Sequence, residues 1–158
     1  MSSKNTIILK LEHRFNQTPI KRVLEAYQQK MLSRKDNETG TVFVRSIVGD
    51  KKTITYSIKR KMPLFCVQFF NFNHIEYDEV AKIVDANTIE ISSKQQIKNI
   101  IMTTSMKLLY NTVTKDTDVI AIVKGENVPK ILKLPMKKYA EKAFKLERSE
   151  DEKYIAAK

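Results

Sequence analysis

The residues best suited to chemistry in this chain lie in one stretch, Lys59-Arg60-Lys61 followed by the apolar run Met62 to Phe72, which puts three cations beside four phenylalanines. Lysine and arginine grip phosphate oxygens through charge-assisted hydrogen bonds, while clustered aromatic and aliphatic side chains partition into the boundary between lipid headgroups and acyl chains. Side by side, they point to an anionic lipid. Taken alone, the same stretch also reads as a buried segment behind a solvated basic turn. Covalent chemistry is poorly served. Cys66 with His13 and His74 has the atoms of a nucleophile and base, but a thiol inside an apolar run has its pKa raised rather than lowered. Glu76, Asp78 and Glu79 read as the exposed face of a strand rather than a metal or acid/base site. With only three glycines, the chain has no phosphate-cradling loop. No catalytic residue, metal or cofactor is expected, and the protein is expected not to be an enzyme.

A chain of 158 residues with 42% hydrophobic content can bury a core of its own, so residues 1–158 are expected to form one domain. No apolar run approaches the ~20 residues that span a bilayer. The start, Met1 to Thr6, has neither a secretory apolar core nor an Arg-rich presequence, so a soluble protein is expected. A single cysteine excludes an internal disulfide and a cysteine-based zinc cluster. Net charge is +11, from 29 basic and 18 acidic residues, and it is lopsided. Residues 1–61 hold 14 basic and 5 acidic groups against 15 and 13 in the remainder. Such a surplus attracts nucleic acid, a phospholipid surface or a phosphorylated ligand alike.

The elements that must position these residues follow from periodicity. Residues Ile7 to Phe15 alternate apolar and polar, the pattern of a strand with one buried face. Thr18 is placed to cap a helix beginning at Pro19, in which Ile20, Val23, Leu24, Tyr27 and Met31 share a face. Thr41 to Val48 and Thr53 to Ile58 make a hairpin, and Ile75 to Val84, Thr88 to Ser93, Ile100 to Val113 and Val119 to Lys124 make four further strands. Val128-Pro129 opens a long closing helix with Leu132, Met136, Tyr139, Ala140, Ala143 and Phe144 on one face, kinked or started at Pro135. Leu64, Phe65, Phe69 and Phe70 recur at i, i+1, i+5 and i+6, which fits neither a clean strand nor a clean helix and predicts a mobile lid that inserts into membranes. The fold class is therefore α+β, a curved antiparallel sheet of about seven strands with a long C-terminal helix. This element order resembles the START-like or helix-grip folds, and that resemblance implies a lipid cavity beneath the helix. Ile100, Met102, Thr104, Met106 and Leu108 should line that cavity, at a volume of roughly 300 Å³ or more.

Within that fold the chain resembles the PRELI/slowmo family of mitochondrial phospholipid transfer proteins. The resemblance rests on His13-Arg14-Phe15 before the first helix, the basic third strand running into an apolar lid, Asn87 to Ser93, Leu108-Leu109-Tyr110, and Val123-Lys124-Gly125 before the final helix. It implies one phospholipid, such as phosphatidic acid or phosphatidylserine, held beneath the long helix and moved between membranes. It also implies peripheral membrane association, a location in the mitochondrial intermembrane space or cytosol, and a small twin-CxxxxxxxxxC helical-hairpin chaperone as partner. Carried over by position, the headgroup residues are Lys59, Arg60 and Lys61 on the third strand and Lys138, Lys142 and Lys145 on the final helix. The last three lie at i, i+4 and i+7, on one helix face, where a solvated lysine stripe is the alternative. The competing function is a basic RNA-binding module. Such a module interleaves aromatic and basic residues on a strand face, whereas here the phenylalanines cluster in one connection, so nucleic acid is the weaker reading.

Overall fold

The computed structural model describes residues 5–71 and 73–157, so the first four residues, Lys158 and Phe72, the end of the apolar run, lie outside the described residues. Seven strands form one antiparallel sheet in the order β1-β7-β6-β5-β4-β3-β2. Strands β2 (Val42–Gly49), β3 (Thr53–Lys61), β4 (His74–Asp85), β5 (Thr88–Ile97), β6 (Ile100–Tyr110) and β7 (Thr117–Glu126) run as a meander, and β1 (Ile7–Phe15) adds to the free edge of β7. Bulges at Val44/Ser46 and Ile83/Asp85 interrupt the ladder and increase local twist. Helix α1 (Ile20–Lys35) carries the chain from one edge strand to the other, α2 (Leu64–Phe70) joins β3 to β4, and α3 (Lys133–Ala156) lies along α1 and β1.

The periodicities are realised with local corrections. Thr18 does not cap α1: its hydroxyl donates to the Asn16 carbonyl at 2.9 Å, and Pro19 occupies the cap position. β6 stops at Tyr110 because Asn111 folds back on itself, its side-chain oxygen accepting the Val113 and Thr114 amides at 2.9 and 3.1 Å. Pro135 neither kinks nor starts α3. It falls in the first turn, where a missing amide donor is tolerated, after a single 3-10 turn at Lys130–Leu132. The connection expected to be irregular is the regular helix α2, begun after Pro63 and ended by Asn71 in the left-handed conformation at φ 60°. Its buried face is the i, i+4 pair Cys66 and Phe70, and Cys66 is the member missing from the spacing of Leu64, Phe65, Phe69 and Phe70.

One stripe governs α3. Met136, Tyr139, Ala140, Ala143 and Phe144 continue at helical spacing into Glu147, Arg148 and Asp151. On α1, the face bearing Tyr27 and Met31 also carries Lys30 and Arg34. The charged halves of the two stripes meet. Lys30, 1% exposed, places Nζ 2.9 Å from Glu147 Oε1 and 2.7 Å from Asp151 Oδ1, the second contact lying off the hydrogen-bonding axis. Arg34 donates to both Glu147 oxygens at 3.0 and 3.1 Å, and Arg148 donates to Asp151 Oδ2 at 2.9 Å. Arg22 reaches the carbonyls of Tyr154 and Ile155 at 2.9 and 2.8 Å and fastens the end of the same helix.

Removing a shared carboxylate from such a cluster strands several cations in a low-dielectric site, whereas removing one cation leaves both carboxylates with an arginine. Glu147→Gln should therefore destabilise the fold by about 3–5 kcal/mol, seen as a fall of melting temperature on the order of 10 °C, and Lys30→Met by clearly less. Equal losses would contradict the clamp as described. The cluster also fixes a pH dependence. Burial would raise the Glu147 carboxyl, but Lys30, Arg34 and Arg60 outweigh it and hold the group well below the ordinary value of 4.5. The unfolded chain thus takes up the proton first, so this contribution is complete above about pH 4.5 and is lost as pH falls toward the depressed folded value. Urea unfolding from pH 7 downward should show wild-type stability dropping below that point, with Glu147→Gln losing less over the same interval.

Candidate functional site: a cavity beneath the long helix

Between the inner sheet face and α3 lies a cavity of about 170 Å³. Ile91, Ile97, Met102, Met106, Val123 and Met136 make one wall apolar, and Phe65 and Cys66 of α2 close one part of it. The expected β6 residues Met102, Thr104 and Met106 do line it, while Ile100 and Leu108 are buried at the strand ends. The volume is smaller than the roughly 300 Å³ that ordinary ligand sites exceed. Long side chains from α3 and α2, and the charged cluster at one end, occupy the space. A two-chain phospholipid does not fit this closed form.

Strand alternation splits the basic triplet. On β3, Tyr56, Ile58 and Arg60 face inward, so Lys59 and Lys61 point to the other face. Lys59 lies opposite Glu76, and exposed Lys61 reaches the Thr39 carbonyl at 3.4 Å. Arg60 alone enters the cavity. Its Nε donates to the Tyr77 hydroxyl at 3.0 Å, and its Nη2 stands 3.7 Å from Glu147 Oε2. Burial would lower the Arg60 pKa, but Tyr77, Glu147 and Tyr139 together push it up, so the guanidinium stays charged. Burial lifts the Tyr77 hydroxyl to about 12, keeping it neutral.

The lysine stripe takes a different place from the one expected. Lys138, Lys142 and Lys145 are all exposed on the outer side of α3 and do not line the cavity, because the inward stripe runs through Met136, Ala140, Ala143 and Glu147 instead. The apolar lid residues divide likewise. Leu64 and Phe69 are 70% and 50% exposed, whereas Phe70 is buried against Phe69 with ring centroids 4.8 Å apart. Phe65 lines the cavity and meets Tyr139 edge-to-face at 6.3 Å. Cys66 is buried and its thiol is pushed up to about 11 by burial, as an unreactive thiol should be.

Several polar residues lining the cavity or bordering it escaped the sequence reading. Glu147, Arg148 and Asp151 were visible by extending the α3 stripe past Phe144, and Lys30 and Arg34 by extending that of α1. Glu79 corrects an expectation. Glu76 and Asp78 lie on the exposed face, but Glu79 projects into the cavity and accepts a hydrogen bond from the buried Tyr27 hydroxyl. Among the described residues no cluster of potential ligands could hold a metal ion, and no helix is long and apolar enough to cross a membrane.

No protein-family model and no curated protein matches this sequence. Solved structures do match the fold. TTHA0849 from Thermus thermophilus superposes with a TM-score of 0.64 at 11% identity, covering 96% of this chain and 98% of that one. Human STARD10 gives 0.62 at 9% identity, covering 98% of this chain and 66% of that one. The Zhui aromatase/cyclase of Streptomyces sp. R1128 gives 0.55 at 8% identity, covering 94% and 92%. At these identities the likeness is one of fold and does not extend to PRELI/slowmo membership: this chain has the START/Bet v1-like helix-grip fold, a seven-stranded antiparallel sheet gripping a long C-terminal helix.

Proposed function

We propose that this protein binds, without catalysis, an amphiphile whose apolar part lies under α3 and whose acidic head meets Arg60. The observation that carries this is the charge imbalance at the closed end of the cavity. Lys30, Arg34, Arg60 and Arg148 share only two carboxylates, Glu147 and Asp151, and Arg60 has the poorest share, a single contact at 3.7 Å. An under-compensated buried guanidinium is costly, and an anionic ligand group relieves it with bidentate hydrogen bonds. The adjoining wall of isoleucine and methionine suits an alkyl chain, and methionine adapts to varied shapes.

Carriage of an anionic phospholipid such as phosphatidic acid between membranes, as the PRELI/slowmo resemblance suggests, is the finer form of this proposal. It requires the cavity to enlarge. Helix α2 is the element suited to move, because it is short, it covers the cavity with Phe65, and it offers Leu64 and Phe69 to a bilayer. A membrane surface, a helical-hairpin chaperone and a mitochondrial or cytosolic location belong to the same proposal. RNA binding is disfavoured by the outward positions of the central strands, Ser105, Lys107, Ile120, Ile122 and Lys124, which offer no ring for stacking.

Mass spectrometry of ligands extracted from the purified protein should find acidic amphiphiles. Arg60→Met should weaken their binding by about thirtyfold or more, the effect of truncating one partner of a buried charge pair, while Lys142→Ala leaves it unchanged. The reverse pattern would move the head site to the outer lysine stripe. For the lid, Leu64→Ser with Phe69→Ser should sharply reduce liposome association, since each large apolar side chain contributes about 1.5–3 kcal/mol when buried. Phe70 is unsuited to that test because it belongs to the core. Undiminished association in the folded double variant would rule out α2 as the docking element.

A further inference from the structure

The cavity contains a second charged group that the acidic-head reading leaves without a partner. Glu79 lies on the inner face of β4, opposite Tyr56 on β3 and Ser93 on β5, beneath Tyr27 of α1. Tyr27 and Tyr56 are 3% and 1% exposed, so the carboxylate sits among buried rings. One of its oxygens accepts the Tyr27 hydroxyl. Among the described residues it makes no ion pair, although four cations crowd Glu147 and Asp151 at the end of the same cavity. Its charge is felt by the neighbouring rings: burial first, then Glu79, raises the hydroxyls of both Tyr27 and Tyr56.

We propose that Glu79 is the second polar anchor of the ligand and takes an ammonium group, so that the molecule bound here is a zwitterionic amphiphile, its acid on Arg60 and its amine on Glu79. This rests on the acidic-head reading of Arg60 and narrows it to one ligand class. Arg60 and Glu79 line the same cavity. Tyr77, which holds Arg60, and Glu79 are successive inward residues of β4, about 7 Å apart along the strand. A ligand with an acid and an amine a short spacer apart spans that interval with its tail left for the methionine-rich wall. Charge also favours an ammonium over a hydroxyl. A hydroxyl gives the carboxylate one hydrogen bond, whereas an ammonium also neutralises it in a site that water screens poorly.

The test uses three probes that share a single eight-carbon chain and a phosphate: octyl phosphate, octyl phosphoethanolamine and octyl phosphoglycol. The last replaces the ammonium by a hydroxyl at nearly constant shape. Titration calorimetry on the full chain should show octyl phosphoethanolamine binding at least about tenfold tighter than the other two. Glu79→Gln keeps the side-chain volume and an acceptor for Tyr27, and should erase that preference while retaining octyl phosphate binding. Equal binding of the ammonium and hydroxyl probes to the wild-type protein overturns the ammonium site and leaves the acidic-head reading standing, as does a preference that survives in Glu79→Gln. Failure of all three probes to bind overturns both readings. The wild-type comparison decides the matter even if the variant does not fold.

Discussion

The ionic cluster between α1 and α3 is the interaction on which the rest of this structure depends. A helix laid across an open sheet has no backbone hydrogen bonds to hold it, and its apolar stripe specifies only that it pack somewhere on that face. Glu147 and Asp151 specify where, because their oxygens meet Lys30 and Arg34 in one register of the two helices. Slipping α3 by a turn would bury these charges without partners, at several kcal/mol each. The same cluster closes one end of the cavity. It therefore sets both the roof and the polar end of the site.

That end and the α2 end obey different physics. At the cluster, space is filled by groups whose charges do not balance, so the protein there is ready for a counterion. Near α2 the lining is Phe65, Cys66 and Met62, held by dispersion and by the exclusion of water. An amphiphile suits this asymmetry because its two ends differ in the same way. The small volume follows as well: flexible methionines and the Phe65 and Phe144 rings narrow the space between helix and sheet, as close packing of an apolar interior favours.

Much of the fold was legible in the sequence. Alternation in the first and sixth strands, and β-rich runs bounded by turn residues such as Asp85-Ala86-Asn87 elsewhere, located all seven strands and their meander. What escaped had physical reasons. Thr18 turns its hydroxyl back to donate to the Asn16 carbonyl and Pro19 takes the cap position, a local arrangement that no periodicity reveals. Helix α2 hid because a cysteine occupied one of its apolar positions. In the site, only Met102, Thr104 and Met106 of the expected β6 wall line the cavity, whereas the lysines of α3 were chosen for their charge and proved to be on the solvent face. The buried charges lay on stripes whose apolar beginnings were recognised and whose charged continuations were read as surface.

Strand parity explains why two charged runs each yielded a single inward residue. In Lys59-Arg60-Lys61 only Arg60 has the parity of Tyr56 and Ile58; in Glu76-Tyr77-Asp78-Glu79 only Glu79 joins Tyr77 on the inner face. The outward acidic members find partners on the exposed side, where Glu76 lies opposite Lys59 and takes an ion pair from Arg45 at 3.0 Å, and Asp78 accepts the Ser57 hydroxyl at 3.0 Å. The inward members are separated by Tyr77 and do not pair with each other. Composition could not have shown this, since the net charge of +11 is carried largely by exposed lysines and bears on association rather than on a site. What distinguishes the cavity is a guanidinium and a carboxylate on adjacent strands, brought inside by alternation and left without a full partner in the protein.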